Sequence, residues 1–235
     1  MTKIVAVIPC FDEAKLIKGI VIASKRYVDA VIVADDNSTD DTVRLSVEAG
    51  ALVVRNDRKG VGSNVGNAMA KAVAIGADIV ITLDGDGQHN PDEIPKLIRP
   101  VMDENMDFVI GSRFLHYYKL PTYRKIGIDI ITWACNLFYK QKITDGQSCF
   151  RAYSRRMLDE LIPIKEDSYS FSVETLIKAK AKGYKIKEVP VECIYDAEYS
   201  QNSTINPLKH GLQVLYGVLK WRFKVELLPR LRRNA

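Results

Sequence analysis

Apolar positions fall in short unbroken runs separated by longer amphipathic stretches. Ile4-Val5-Ala6-Val7-Ile8, stopped by Pro9, has the pattern of a strand buried on both faces. A helix is predicted from about Glu13 to Ser24, a second strand over Ala30 to Ala34, and a helix through Ala49 with Ser38 or Thr39 as its N-cap. A third strand runs from Ala51 to Arg55, a helix from Gly62 to Gly76, and a fourth strand from Asp78 to Leu83. Pro91-Asp92-Glu93 opens a further helix, with proline and acids where a first turn favours them, and Asp107 to Gly111 is again a strand. This β-α-β-α rhythm argues for an α/β fold with a mostly parallel sheet flanked by helices on both faces.

The rhythm loosens after residue 115. Residues 117 to 139 mix Tyr117, Tyr118, Tyr123, Trp133, Phe138 and Tyr139 with Lys119, Arg124 and Lys125. Gln147 to Tyr153 reads as a strand, Phe171 to Lys182 as a helix, and Lys185 to Tyr195 as a strand placed near an edge by Pro190. The last helix, Pro207 to Leu228, carries Leu208, Leu212, Leu215, Leu219 and Phe223 at helical spacing, widened by Val218, Trp221 and Val225. The simplest division is one domain over 1–206 followed by a basic amphipathic helix and tail over 207–235.

The 235 residues suffice for one large α/β domain, and 47% hydrophobic with 27% charged residues is an ordinary globular balance. The net charge of +5 is uneven. Lys209, Lys220, Arg222, Lys224, Arg230, Arg232 and Arg233 face Glu226 alone in the last stretch, which suits an anionic partner such as a phospholipid surface or nucleic acid. Cys10, Cys135, Cys149 and Cys193 form no C-x-x-C pair and read as small buried hydrophobes in a reducing compartment. No signal peptide is visible, and no apolar run approaches the ~20 residues of a spanning helix. The expected location is cytoplasmic, with surface association left open.

The chemistry gathers at strand ends. Asp84-Gly85-Asp86-Gly87 follows the fourth strand, and two carboxylates one residue apart suit a hard divalent cation with open positions for phosphate oxygens. An extended backbone would splay them to opposite faces, so a shared metal needs the turn that the glycines permit. Asp35-Asp36 ends the second strand in the same way, and open α/β sheets bind ligands in the crevice where such ends meet.

Seven segments in order carry a resemblance. Ile8-Pro9-Cys10-Phe11-Asp12-Glu13 is similar to an I-P-x-x-N-E opening, and residues 34–42 to a D-D-x-S-x-D-x-T segment. Asn56 to Gly62 resembles an N-x-x-K-G block, and Leu83 to Pro91 a D-x-D-x-Q-H-x-P motif. Gly111-Ser112-Arg113, Asp145 to Arg151, and Glu188-Val189-Pro190-Val191 continue it. Together they resemble family 2 glycosyltransferases of the polyprenyl-phosphate (dolichyl-phosphate) mannose or glucose synthase branch.

The resemblance implies a GT-A fold and metal-dependent, inverting transfer of a hexose from UDP-glucose or GDP-mannose to a polyprenyl phosphate. It implies that Pro9, Phe11, Glu13, Asp35, Asp36 and Lys59 hold the nucleotide. Asp84, Gly85 and Asp86 join them on the donor, and Asp84, Asp86 and Gln88 would hold Mg²⁺ or Mn²⁺ against the diphosphate, with Asp86 and Arg113 serving the chemistry. Arg113, Arg124, Asp145, Gln147, Arg151 and Glu174 are the expected acceptor or sugar contacts. A lipid phosphate is already anionic near neutral pH and needs cations, not a base. A hydroxyl acceptor would need a carboxylate base, with Asp145 and Glu174 as candidates. Peripheral membrane binding on the cytoplasmic face, no nucleic-acid partner and a possible homo-oligomer complete the expectation. The alternatives are transfer to a saccharide or protein hydroxyl, or a non-catalytic sugar-nucleotide-binding membrane scaffold.

Two departures stand out: Phe11 where the family often has Tyr, and Thr204 where a phosphate-contacting lysine is expected. Other folds fit less well. Gly60-Val61-Gly62-Ser63-Asn64-Val65-Gly66 has G-x-G-x-x-x-G spacing and follows the third strand, unlike a dinucleotide fingerprint. A haloacid-dehalogenase reading of Asp84 to Gly87 puts the motif on the wrong strand. An EF-hand would place His89 and Pro95 where Gly and Glu belong.

Overall fold

The computed structural model describes residues 1–56, 60–115, 122–194 and 207–227. Seven strands form one sheet in the order β3-β2-β1-β4-β6-β5-β7. They are β1 (Ile4–Cys10), β2 (Ala30–Asp35), β3 (Leu52–Arg55), β4 (Ile79–Thr82), β5 (Phe108–Ser112), β6 (Arg151–Ser154) and β7 (Ile186–Pro190). All neighbours run parallel except β6, which is antiparallel to both β4 and β5. β7 is the edge strand on one side, as Pro190 implied.

The helices are α1 (Ile17–Ser24), α2 (Thr42–Glu48), α3 (Val61–Ala74), α4 (Ile94–Asp103), α5 (Thr122–Asn136), α6 (Arg155–Leu161), α7 (Phe171–Ala181) and α8 (Pro207–Arg222). Successive residues of β1 point to opposite faces. Val5 and Val7 join a core cluster with residues of α3, α5, α6, α7 and α8, whereas Ala6 and Ile8 join one with residues of α1 and α4. Both faces are therefore covered, which is why the strands read as unbroken apolar runs. Val214, Val218 and Trp221 of α8 belong to the first cluster, so the last helix is packed into the domain.

Four local expectations change. Only Arg151–Ser154 of the predicted Gln147–Tyr153 strand pairs, because the Asp145 carboxylate accepts the Gln147 and Ser148 N–H groups and holds that stretch as a loop. Neither Ser38 nor Thr39 caps α2: Ser38 Oγ accepts from the Asp12 N–H, and the Asp40 carboxylate takes the Thr42 N–H. The first helix starts at Ile17 rather than Glu13, after a turn in which Asp12 has φ +55°. α6 was not anticipated, although Ser154 caps it by accepting the Met157 N–H. Tyr117, Tyr118, Lys119 and residues 195–206 and 228–235 lie outside the described residues.

Candidate active site

The chain leaves β1 for β2 and β3 on one side, then returns to β4 on the other. The strand order thus reverses between β1 and β4, and a crevice opens at their carboxyl ends. The segments 9–13, 35–38 and 84–89 all emerge there. Gly85 lies close against β1: a Cβ on it would come within 2.5 Å of Cys10 Sγ and 3.1 Å of the Pro9 carbonyl oxygen. Gly87 has φ +80°, the conformation that turns the chain back. Asp86 Oδ1 then accepts the Gln88 N–H at 3.0 Å, and His89 Nδ1 accepts the Asp84 N–H at 3.1 Å. His89 is buried, and burial lowers its pKa to about 4, so the ring is neutral and braces the turn as an acceptor.

The result is a concentration of negative charge. Burial raises Asp84 to about 6. Burial and then the Asp84 charge raise Asp86 to about 6, and burial followed by the Asp86 charge raises Glu13 to about 7. Among the described residues no lysine or arginine forms an ion pair with Asp84, Asp86 or Glu13. Hard oxygen donors without a cationic partner fit Mg²⁺ or Mn²⁺. No group of three or more His, Cys, Asp and Glu side chains is arranged to enclose a metal among the described residues. Two carboxylates leave most of an octahedral shell to other oxygens.

The remaining acids divide by burial. Asp35 is fully buried and spends its oxygens on the Ser38 N–H and on Arg55 at 3.0 Å, so it organises the β2 turn. Asp36 is half-buried and accepts the Gly60 N–H at 3.2 Å, tying β2 to the start of α3. Phe11 is exposed at the crevice edge. Lys59 and the Arg124 side chain lie outside the described residues. The Gln88 side-chain oxygen lies 3.9 Å from Cys193 Sγ.

Three expected substrate contacts turn out to be occupied within the fold. Arg151 is fully buried and donates to the carbonyl oxygens of Ser148, Gly146 and Ser172 and to Thr175 Oγ1. Glu174 is fully buried, accepts the Lys165 and Glu166 N–H groups and pairs with Lys178 at 2.5 Å. Asp145 is fully buried, accepts the N–H groups of Arg113, Gln147 and Ser148, and forms a two-pronged pair with Arg113 at 2.7 and 2.9 Å. All three are engaged by protein groups, so the structure lends no direct support to their assignment to acceptor, sugar or base. Gln147 donates its side-chain amide to the Gly146 carbonyl. Arg113 uses Nε and Nη2 on Asp145, while Nη1 makes no hydrogen bond among the described residues. Its guanidinium is thereby held rigidly with one edge to spare.

Tyr169, just before α7, was not singled out from sequence, where S-Y-S-F carries no motif signal. Its side chain is 42% exposed. Burial, and then the charges of Asp84, Cys149, Asp86 and Asp36, push its phenol up to about 12, so it stays protonated beside the crevice.

Fold and crevice together define an α/β protein of the GT-A class. The family model for glycosyl transferase family 2 matches residues 5–162. A UDP-N-acetylglucosamine–dolichyl-phosphate N-acetylglucosaminyltransferase of Methanococcus voltae is 32% identical over 240 residues, covering 91% of this chain and 93% of its own. An uncharacterised protein of Methanocaldococcus jannaschii is 33% identical over 226 residues, covering 92% and 91%. The chain belongs to glycosyl transferase family 2 and is a glycosyltransferase. Among solved structures, glucosyl-3-phosphoglycerate synthase of Mycobacterium tuberculosis, in complex with Mn²⁺, UDP-glucose and phosphoglyceric acid, superposes with a TM-score of 0.71. That match has 20% identity and covers 94% of this chain and 79% of that one, which places the fold.

Proposed function

We propose that the protein transfers a sugar, with inversion, from a nucleoside-diphosphate sugar to a polyprenyl phosphate at a membrane surface. The observation that carries the acceptor is that both candidate bases, Asp145 and Glu174, are buried and fully hydrogen-bonded. A hydroxyl acceptor needs a free carboxylate base, which neither of these two supplies, whereas a phosphate brings its own negative charge. The M. voltae relative is named for a dolichyl-phosphate acceptor and a UDP-sugar donor, which supports the same reading.

Glu13 and Asp36 border the donor end, and Asp84 and Asp86 are the residues that would hold the divalent ion. When bound, that ion supplies positive charge to the departing diphosphate. Arg113, fixed by Asp145, presents Nη1 as a rigid cation for positioning the incoming phosphate. Beside that pair, a cavity of about 460 Å³ between α5 and residues 142–144 is lined by Phe114, Trp133 and Ile143 together with Lys125 and Lys142. Lys125 is paired there with Asp129 at 2.7 Å, so Lys142 and the apolar walls are what suit an amphiphilic anion.

Membrane contact has its own support. No helix among the described residues is long and apolar enough to cross a membrane. Instead α5 exposes Ile126, Ile130 and Trp133, and the last helix exposes Leu212, Tyr216, Leu219 and Phe223 at intervals of three or four. Such stripes on two helices of one layer fit an interfacial surface. Trp221, which widens the apolar stripe in the sequence, is buried and donates to Glu166, so it is no part of that surface.

The test is a nucleotide-sugar panel with Mn²⁺ or Mg²⁺, assayed with and without a short polyprenyl phosphate. Lipid-dependent nucleotide release from one donor, abolished in Asp86→Ala without loss of the folded state, is the expected result. Release stimulated by a saccharide or peptide but not by the lipid would overturn the acceptor.

A further inference from the structure

The Glu188-Val189-Pro190-Val191 segment takes no part in the acid crevice, yet it reaches the Arg113–Asp145 pair from the neighbouring strand. β7 runs parallel to β5 with Glu188 beside Ile110 and Pro190 beside Ser112, next to the point where the chain turns out into Arg113. Glu188 is half-buried and spends both carboxylate oxygens on one short loop. Oε2 accepts the Thr144 N–H at 2.7 Å, and Oε1 accepts the Asp145 N–H at 2.9 Å and the Thr144 hydroxyl at 3.0 Å. An ionised carboxylate only accepts, which fixes the direction of the next link. The Thr144 proton goes to Glu188, so Ser112 Oγ, 2.7 Å from Thr144 Oγ1, donates to it. Ser112 Oγ in turn accepts the Phe114 N–H at 3.2 Å. Ser112 and Phe114 flank Arg113, and Thr144 precedes Asp145, so this directed chain runs alongside the ion pair from end to end. On its other side the loop is held to α5: the Asn136 side chain bonds both backbone groups of Ile143, and Thr132 Oγ1 accepts the Gly146 N–H. Phe114, Ile143 and Thr144 also line the cavity of about 460 Å³, so the clamped region is the acceptor side of the site.

We propose that Glu188 is a positioning residue for the acceptor phosphate, acting through the 143–145 loop and Asp145 to fix the direction in which the Arg113 guanidinium points. The proposal rests on the lipid-phosphate reading above. Glu188 touches no substrate, since the loop uses both of its oxygens. A carboxylate is needed at this place because two consecutive N–H groups and a hydroxyl converge on it. An amide would offer one oxygen and turn its own N–H groups towards a third donor. A two-pronged pair fixes a guanidinium only relative to its carboxylate, and Asp145 sits on a loop. Tying that loop to an edge strand of the sheet removes the remaining freedom, and misplacement of a substrate-positioning cation by a fraction of an ångström weakens its action.

Titration calorimetry of the full chain tests this, with a short polyprenyl phosphate in the presence of Mn²⁺ and uridine or guanosine diphosphate, and with each nucleotide and Mn²⁺ alone. Glu188→Ala is expected to raise the Kd of the lipid phosphate about tenfold, and Glu188→Gln and Thr144→Val about threefold, while nucleotide Kd stays within about twofold of wild type. The decisive comparison is an Arg113→Lys background, where a point charge on a flexible stem replaces the two-pronged fork. There Glu188→Ala should change the lipid-phosphate Kd by less than about twofold, because residues that act through one another are not additive. A merely structural loss would move the melting temperature without this dependence on Arg113. If Glu188→Ala does not fold, Glu188→Gln and Thr144→Val carry the comparison. Folded variants with wild-type lipid-phosphate Kd, or with equal increases in both backgrounds, would overturn the clamp alone. A wild type that does not bind the lipid phosphate would overturn the acceptor reading and the clamp with it.

Discussion

Replacing Asp145 by asparagine separates a structural carboxylate from a catalytic one. Its side chain is 0% exposed and that of Arg113 is 15% exposed, and the two are joined at 2.7 and 2.9 Å. Asparagine keeps one acceptor oxygen for the loop N–H groups but leaves the guanidinium with no counter-charge. Breaking a buried pair in this way costs roughly 3–5 kcal/mol, and the partial exposure of Arg113 points to the lower end. For a chain of this size, about 3 kcal/mol corresponds to a fall of roughly 6–12 °C in melting temperature. Circular dichroism melts at neutral pH read this directly. The pH dependence adds a second mark. Burial alone would raise the Asp145 carboxyl, but the Arg113 charge and hydrogen bonds outweigh it and hold it below the usual range. A depressed carboxyl contributes its stability above its unfolded pKa and loses it as pH falls through the folded value, so wild type and Asp145→Asn should converge in acid. Arg113→Met combined with Asp145→Asn should recover much of the lost stability, because the desolvated charge is removed while the loop N–H groups keep an acceptor. A melting temperature within about 2 °C of wild type, accompanied by loss of turnover, would refute the reasoning and restore Asp145 as a base.

The crevice carboxylates behave oppositely. Glu13, Asp84 and Asp86 are raised, to about 7, 6 and 6. The folded state then binds more protons than the unfolded one between about pH 4 and pH 7, so their contribution falls as pH rises through that window. Mn²⁺ should therefore raise the melting temperature more at pH 7.5 than at pH 5, and Asp86→Asn should flatten that difference; equal shifts at both pH values would contradict it. On the last helix, Tyr216→Glu with Leu219→Glu should weaken sedimentation with anionic vesicles while moving the melting temperature by no more than a few degrees, since both side chains are exposed. Trp221→Ala should instead destabilise the chain by about 3–5 kcal/mol, because it empties a core position. Vesicle binding unaffected by the paired glutamates would remove that face from the membrane.

Much of the sheet was legible because each parallel strand is buried on both faces and therefore appears as a pure apolar run. Acids at the ends of β2 and β4 pointed to a shared crevice, but the reversal of strand order between β1 and β4 that opens it emerged only with the fold. β6 was less legible. It runs antiparallel between β4 and β5, and its limit is set by Asp145 and Arg151, whose partners are spread over residues 113 to 175. α6 is a seven-residue helix with too little pattern to announce itself.

The acids mark the deeper limit. Asp35 and Asp36 are adjacent and chemically identical in the chain, yet one is closed off by Arg55 and the other faces the start of α3. Asp84 and Asp145 each stand in a glycine-containing motif, yet only Asp145 meets an arginine. A carboxylate's role here is decided by whether a distant cation reaches it, and that distance is a property of the sheet order rather than of local spacing. The last helix follows the same logic. Its periodicity revealed one wide apolar stripe, but the fold divides it: Val214, Val218 and Trp221 pack inward, while Leu212, Tyr216, Leu219 and Phe223 face out. An ordinary surface helix would carry charge on that outer face. Large apolar residues are retained there on a helix whose inner face also holds Glu166 through Lys220 and Trp221, so one helix carries both the exposed stripe and an anchor in the core.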